Sequence, residues 1–336
     1  MHKELNTVLL IRDFLVKKKV LNTSTNNIDQ IHLFFEFITN EENAKKFNSL
    51  YILNYIHQFI VSDDVAKRKT SARVFEDLLA NLFNGTITDS NQRKNLVQDV
   101  PEHFALAKDK IAGNKREKID LLFEKNYGVS VKTLMESNSE INLGSFDKQI
   151  LYDGFDVGSY LNERRTSRDN TENIGLGSKP QLKNLFLLIK SNNFYNFFSI
   201  RFKQMFEFIF ADDIIIAIKD STKLELYFFT GKEFTDIFTS RLDNIDNVLK
   251  VLNRWEGNSI RIDRSLFLES CKRKSVIDLS VLDDSIINTV NNLDYKLHEN
   301  YVRFFNQENN SSLKNEILSE VEQLFENFEK GINFLR

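Results

Sequence analysis

The sequence predicts an α+β (α/β) fold, with a central mixed β-sheet flanked by helices and with helical N- and C-terminal extensions. Three patterns lead to this prediction. Apolar residues recur at helical spacing through residues 1–60, the period changes to that of strands near residue 117, and residues 281–307 and 311–333 return to amphipathic helical patterns. Separate runs of helix and strand in one chain are typical of α+β proteins.

The first predicted helices form an N-terminal region, residues 1–61. The next helix can be capped by Thr70 or Ser71, and its apolar positions recur three and four residues apart: Ala72, Phe75, Leu78, Leu79, Leu82 and Phe83. Gly85 is expected to end this helix, because glycine readily adopts the left-handed conformation found after helices.

A core region, residues 62–270, is predicted to combine strands with helices and loops. Its strand-like runs are residues 118–123, 129–134, 210–218, 224–230 and part of 255–268. Helices are predicted at residues 146–161 and 181–190, and the polar stretch 164–180 between them is predicted to be a loop. Residues 271–336 are the predicted C-terminal helical region.

Composition excludes several classes of protein. Cys271 is the one cysteine, so an internal disulfide is excluded and a reducing cytosol is expected. The five histidines lack the paired spacing of a zinc site. No run resembles a signal peptide or a membrane helix, so we expect a cytoplasmic protein with no membrane partner. A net charge of -3 means that DNA binding would need a local basic surface.

The most informative stretch is the predicted hairpin around Asp120. If residues 125–127 form the loop, position 124 pairs with 128, 122 with 130 and 120 with 132. Side chains alternate between faces along a strand, and paired residues share a face. Asp120, Ser130 and Lys132 are therefore predicted to share one face. A slip of one residue would remove Asp120 from it.

A carboxylate and an amine on neighbouring strands suit the hydrolysis of a phosphodiester. Mg²⁺ prefers oxygen ligands and needs only one or two carboxylates beside water and the phosphate. The metal withdraws charge from the phosphoryl oxygen and acidifies water. A nearby lysine can orient or deprotonate the attacking water and offset the negative charge that develops. Asp120 and Lys132 would fill these two roles.

These residues resemble the motif of the PD-(D/E)XK nucleases. Ile119-Asp120 corresponds to the Pro-Asp of the motif, and Ser130-Val131-Lys132 to its (D/E)-X-K triplet. The resemblance covers roughly residues 70–150. It implies a restriction-endonuclease-like sheet, Mg²⁺ as the cofactor, and catalysis by Asp120, Ser130 and Lys132. The implied function is that of a type II restriction endonuclease, which cuts double-stranded DNA at a specific sequence.

Two positions depart from the family pattern. Ile119 replaces proline, which is a mild change, whereas Ser130 replaces an acidic residue and removes a metal carboxylate. Some family members with this serine bring the missing acid from a following helix. Glu136, Glu140 and Asp147 are the candidates here, and the sequence gives no reason to prefer one. We select Asp147 as the predicted metal ligand.

The family often adds a glutamate from a preceding helix, and Glu76 fits that position. It lies at the edge of the apolar stripe of its predicted helix, where an acid can reach inward. The resemblance thus implies Asp120, Glu76 and Asp147 as metal ligands, with Glu76 also among the catalytic residues.

The polar loop after the hairpin is predicted to contact DNA through Arg164, Arg165, Arg168 and Lys179. Arginine can read guanine, and the Ser, Thr and Asn residues around these side chains can bind phosphates or bases. Palindromic targets usually require a symmetric homodimer. The C-terminal helices could form its interface or cap each monomer.

Three alternatives stay open. Asp120 and Lys132 can be surface residues of an ordinary hairpin, and the arginine-rich loop can be a solvated loop. The nuclease fold can serve a repair or defence nuclease that has no palindromic site. The chain can also be a non-enzymatic helical interaction protein in which the hairpin is scaffold.

Overall fold

A computed structural model describes residues 27–41, 43–45, 71–89, 93, 99–145, 148–152, 155, 175–176, 178–219, 223–256 and 259–278 of the chain. The helices predicted from residue 281 onward lie outside these residues. So do the site candidates Asp147, Arg164, Arg165 and Arg168.

The secondary structure alternates between helices and strands. The described helices are α1 (Ile28–Phe37), α2 (Ser71–Leu82), α3 (Lys108–Arg116), α4 (Lys179–Ser191), α5 (Tyr195–Ile209), α6 (Gly231–Thr239), α7 (Ile245–Val251) and α8 (Arg264–Glu269). The strands are β1 (Thr86–Ile87), β2 (Leu121–Leu122), β3 (Gly128–Met135), β4 (Glu140–Ser145), β5 (Gly175–Leu176), β6 (Asp213–Lys219), β7 (Lys223–Phe229), β8 (Leu252–Glu256), β9 (Ser259–Asp263) and β10 (Arg273–Asp278).

The central sheet has six strands in the order β1-β2-β3-β6-β7-β10. β3 and β6 run parallel, and the other neighbouring strands are antiparallel. Helix α1 packs against β7 and β10, α2 against β1, β2 and β3, and α6 against β6 and β7. The predicted α+β architecture, a mixed sheet flanked by helices, is therefore confirmed.

Strand β6 is strongly apolar because side chains cover both of its faces. Ile214 and Ile216 pack into a hydrophobic core together with Phe206 of α5. On the opposite face, Ile215 pairs with Phe228, whose ring centre lies 5.8 Å from that of Phe35 in α1. A strand that is buried on both faces is expected to be a nearly continuous apolar run, and this run predicted the strand correctly.

Helix α2 covers the same face of the sheet as α1. Phe83, directly after α2, packs edge-on against Phe34 of α1, with ring centres 5.5 Å apart. The helix ends close to the predicted position. Asn84 takes the left-handed conformation with φ 56°, and the Gly85 N–H donates to the Ala80 carbonyl at 2.7 Å. Asn84, rather than Gly85, is thus the left-handed residue.

A second, four-stranded antiparallel sheet has the order β4-β9-β8-β5. Its apolar residues, among them Ile141, Trp255 and Ile262, pack into the same core as α4 and α5. The sequence indicated only the part of this sheet near residues 255–268. Where a helix was predicted from residue 146, β4 extends to Ser145 and a short 3-10 helix, Lys148–Tyr152, follows.

Two assignments from the sequence need correction. Lys179 does not lie in a loop: it is the first residue of α4, and Ser178 caps this helix by accepting a hydrogen bond from the Gln181 N–H. Residues 273–278, assigned to the helical C-terminal region, form β10 and pair with β7. Among the helices of the described residues, none combines the length and apolar character needed to cross a bilayer.

Candidate active site

The predicted hairpin is formed by β2 and β3, with a different register. Leu122 pairs with Gly128, so Asp120 lies opposite Ser130, and the Asp120 N–H donates to the Val129 carbonyl at 3.1 Å. The predicted pairing of position 120 with 132 is therefore wrong by two residues. An even shift leaves each side chain on its predicted face, because the faces alternate with a period of two.

The turn explains the shift. The Phe123 N–H donates to the Tyr127 carbonyl at 2.8 Å, and a 3-10 turn lies between these residues. Within it, Lys125 and Asn126 both adopt left-handed backbone conformations, with φ of 57° and 59°. Asparagine adopts this conformation more readily than most residues but lysine rarely does, so Lys125 gave no indication of the geometry of this turn.

The shared face predicted for Asp120, Ser130 and Lys132 is confirmed. Asp120 Oδ2 accepts hydrogen bonds from Lys132 Nζ at 3.2 Å, Ser130 Oγ at 3.2 Å and the Val131 N–H at 2.8 Å. The Asp120 and Lys132 side chains are 18% and 20% exposed, so solvent reaches the pair. The apolar residues that alternate with them, on the other face of the hairpin, are buried: Leu121, Phe123, Val129 and Val131.

Arg93 contacts the second oxygen of the carboxylate. Its Nη2 lies 3.8 Å from Asp120 Oδ1, and its Nε donates to Thr88 Oγ1 at 2.9 Å. The Thr88 N–H in turn donates to the Asp120 backbone carbonyl at 3.0 Å. The sequence analysis missed Arg93, because a single arginine between predicted elements resembles any surface cation.

Lys118 is a buried amine close to this site, with 4% of the residue exposed. The pKa of Lys118 is lowered to about 8, first by burial and then by the charge of Lys132, while the charges of Glu117 and Asp120 act in the opposite direction. A Cβ atom placed on Gly144 of β4 would lie 3.2 Å from Lys118 Nζ, so the amine lies directly over this strand. Lys118 stands in the stretch that the sequence highlighted, but nothing in its pattern indicated burial.

Glu76 is half-buried on α2. Val131 pairs with Ile215, and both side chains point to the face of the sheet that α1 and α2 cover. Lys132 points to the opposite face by strand alternation. The role of Glu76 as a metal ligand stays a prediction.

Two of the acids considered as replacements for the missing carboxylate lie elsewhere. Glu140 forms an ion pair with Arg254, and its Oε2 lies 3.8 Å from Arg261 Nη1, so arginines on the second sheet bind it. Glu136 is exposed in the turn after β3. Lys179, a predicted DNA contact, is exposed at the start of α4.

Among the residues that the structure describes, Asp120 is the carboxylate of this site that is suited to Mg²⁺. Asp120 Oδ1 has only the longer contact to Arg93, whereas Oδ2 accepts three hydrogen bonds, so Oδ1 is the oxygen better placed to bind a cation. One carboxylate with water and a substrate phosphate is a ligand set that Mg²⁺ uses. Within the part of the chain that the structure describes, no group of three or more His, Cys, Asp or Glu residues could hold a metal.

Comparisons with protein-family profiles, curated proteins and solved structures find no match to this chain. The geometry around Asp120 is therefore the only indication of function.

Proposed function

We propose that this protein is a Mg²⁺-dependent nuclease of the PD-(D/E)XK kind, and specifically a type II restriction endonuclease that cuts double-stranded DNA. The observation that carries the proposal is the 3.2 Å contact between Lys132 Nζ and Asp120 Oδ2 across neighbouring strands. A sheet with helices on both faces supports this contact, and the pair is accessible to solvent. A carboxylate that can hold Mg²⁺ beside an amine that can orient water suits the hydrolysis of a phosphodiester.

Each residue of the hairpin has a role in the proposed reaction. Asp120 would hold Mg²⁺ beside the scissile phosphate, and the bound metal would supply charge withdrawal from the phosphoryl oxygens. Lys132 orients the attacking water or accepts its proton and offsets developing negative charge. Ser130 fixes the orientation of the Asp120 carboxylate through its hydroxyl. Glu76 and Asp147 are proposed as the remaining metal ligands.

Binding of a specific DNA sequence is assigned to the segment that precedes α4. Arg164, Arg165 and Arg168 are the proposed base and phosphate contacts, together with Lys179. A homodimer that places one active site on each strand would suit a palindromic target. Gel filtration combined with light scattering measures the mass of the protein, with and without a DNA duplex, and tests this part.

The test of the activity uses supercoiled plasmids of different sequence in Mg²⁺. We expect discrete fragments from the wild-type protein, and we expect D120A and K132A to cut about 10²–10⁴-fold more slowly. D236A and K232A are matched controls, because Asp236 and Lys232 form an exposed ion pair on α6. Retention of DNA binding by D120A in EDTA would separate loss of chemistry from loss of fold. Cleavage by D120A or K132A at the wild-type rate would refute the assignment.

The product pattern separates this function from its alternatives. A smear in place of discrete bands would favour a repair or defence nuclease with no specific site. No cleavage of any plasmid, combined with DNA binding that Mg²⁺ does not alter, would favour a non-enzymatic interaction protein.

A further inference from the structure

Arg93 contacts the oxygen of Asp120 that is better placed to bind a cation. Its Nη2 lies 3.8 Å from Oδ1, whereas Oδ2 accepts hydrogen bonds from Lys132, Ser130 and the Val131 N–H. At 3.8 Å the contact to Oδ1 is an ion pair without a hydrogen bond, so it is weaker than the contacts to Oδ2. The oxygen that a metal would use is thus paired with a cation of the protein itself.

A short turn and one hydroxyl group hold Arg93 in this position. The Arg93 backbone N–H donates to the Asp89 carbonyl at 3.1 Å, which folds the chain into a helical turn soon after β1. The side chain returns over Thr88, where its Nε donates to Thr88 Oγ1 at 2.9 Å. Thr88 is buried; its N–H donates to the Asp120 carbonyl at 3.0 Å, and its hydroxyl donates to the Ile119 carbonyl. The Nε end of the guanidinium is therefore fixed to the strand segment that carries Asp120.

The outer end of the guanidinium is available for a second partner. The Arg93 side chain is 26% exposed, and among the residues that the structure describes its Nη atoms have only the long contact to Asp120. A guanidinium carries five N–H donors in a planar fork, and Thr88 engages one of them. The remaining N–H groups can bind an oxyanion that enters beside Asp120.

We propose that Arg93 is a substrate-binding residue of the nuclease, which competes with Mg²⁺ for Asp120 Oδ1 and, once displaced, binds a non-bridging oxygen of the scissile phosphate. Two cations at one oxygen repel each other, so the guanidinium leaves its contact when a metal ion binds there. The phosphate then offers Arg93 the planar, two-pronged contact that arginine forms well. The proposal rests on the proposed nuclease function, but the competition at Oδ1 is measured without DNA.

Titration with Mn²⁺, followed by the electron paramagnetic resonance of the unbound ion, tests the competition, because Mn²⁺ uses the same oxygen ligands as Mg²⁺. R93Q should bind Mn²⁺ about tenfold more tightly than wild type, since it removes the competing charge but keeps a side-chain N–H. R264Q is the matched control and should bind like wild type, because Arg264 Nη1 contacts a backbone carbonyl, that of Glu136. In a D120N background R93Q should have no effect, because the carboxylate for which the cations compete is gone. Unchanged or weaker Mn²⁺ binding by R93Q, or equal tightening in the D120N background, would overturn the proposal.

The salt dependence of duplex binding tests the contact with the phosphate. K132A is the background, because its slow cleavage keeps the duplex intact during the measurement. In Mg²⁺, the double variant R93Q/K132A should give a plot of log K against log salt that is shallower by about one than that of K132A, the change expected for one phosphate contact. In EDTA the two slopes should be equal, because Arg93 then stays with Asp120. Equal slopes in Mg²⁺, or a difference of about one already in EDTA, would overturn the proposed exchange of partners.

Plasmid cleavage over a range of Mg²⁺ concentrations separates this role from a role in the fold. R93Q should reach its half-maximal rate at a lower Mg²⁺ concentration than wild type, yet its kcat should be about 10²-fold lower. A variant that merely loosened the site would need more metal, not less. Cleavage by R93Q at the wild-type rate would refute the phosphate contact and leave the nuclease assignment intact. Tighter Mn²⁺ binding by R93Q in a protein that cuts no DNA would instead support the competition at Oδ1 and refute the nuclease.

Discussion

The replacement of Asp120 by alanine should destabilise the fold, and the hydrogen bonds of the carboxylate set the size of the effect. The buried Val131 N–H would lose its acceptor, which costs about 1–3 kcal/mol. Lys132 and Arg93 would lose their counter-charge, but both are partly exposed, so this adds only about 1 kcal/mol. We therefore expect D120A to lower the free energy of unfolding by about 2–4 kcal/mol. D120N keeps an oxygen acceptor for the Val131 N–H, so its free energy of unfolding should fall by less than that of D120A.

Urea unfolding followed by the fluorescence of Trp255 is the measurement, because this is the single tryptophan and it is fully buried in the core that contains α4 and α5. D236A is the control: its free energy of unfolding should fall by at most about 1 kcal/mol, because an exposed ion pair contributes no more than that. If D120A were as stable as wild type or more stable, the desolvation of the carboxylate would outweigh its contacts, and the reasoning would be refuted.

Three further predictions concern other parts of the fold. A Cβ at Gly231 would lie 1.9 Å from the Ala211 carbonyl oxygen, so G231A should lower the free energy of unfolding, measured by thermal unfolding, by about 3 kcal/mol or more. The control G113A, with open space around the added Cβ, should not be destabilised. Burial opposes ionisation of Glu225, but hydrogen bonds from two lysines and a tyrosine outweigh it and lower its pKa to about 2. Its contribution to stability is therefore present above pH 4.5 and lost as the pH falls towards 2, so E225Q should flatten the dependence of the urea midpoint between these values; an unchanged slope would count against this. Arg273 binds Asp29 of α1 and Glu233 of α6 through separate guanidinium nitrogens, which a lysine cannot do with one amine. R273K should therefore lower the free energy of urea unfolding by about 1 kcal/mol, and an unchanged urea midpoint would show that the two separate contacts are not needed.

The sequence predicted the parts of the site that depend on a short-range pattern. Alternation of apolar and polar residues placed Asp120 and Lys132 on one face, and this result survived an error of two residues in the register. The register itself depended on left-handed conformations at Lys125 and Asn126, and a lysine does not indicate such a conformation. A glycine at position 125 would have been a clearer signal.

Long-range relations could not be predicted. Strand β4, with Gly144 beside the amine of Lys118, belongs to a sheet that forms from segments far apart in the chain. Arg93 and Lys118 differ from other cations only in what surrounds them after folding. Periodicity identifies the face of an element but not its neighbours, so the coarse architecture was predicted while these two cations near Asp120 were missed.

The parallel pairing of β3 with β6 has a consequence for how the molecule folds. The β2–β3 hairpin joins near neighbours and can form quickly, but Ser130 reaches its partner Ile214 only after α4 and α5 have been passed along the chain. Non-local strand pairing of this kind slows folding, because loop-closure entropy is lost before the contacts stabilise the chain. During biosynthesis the residues of the hairpin therefore emerge well before those of the partner strand, and the unpaired β3 edge is then exposed to aggregation or to chaperones.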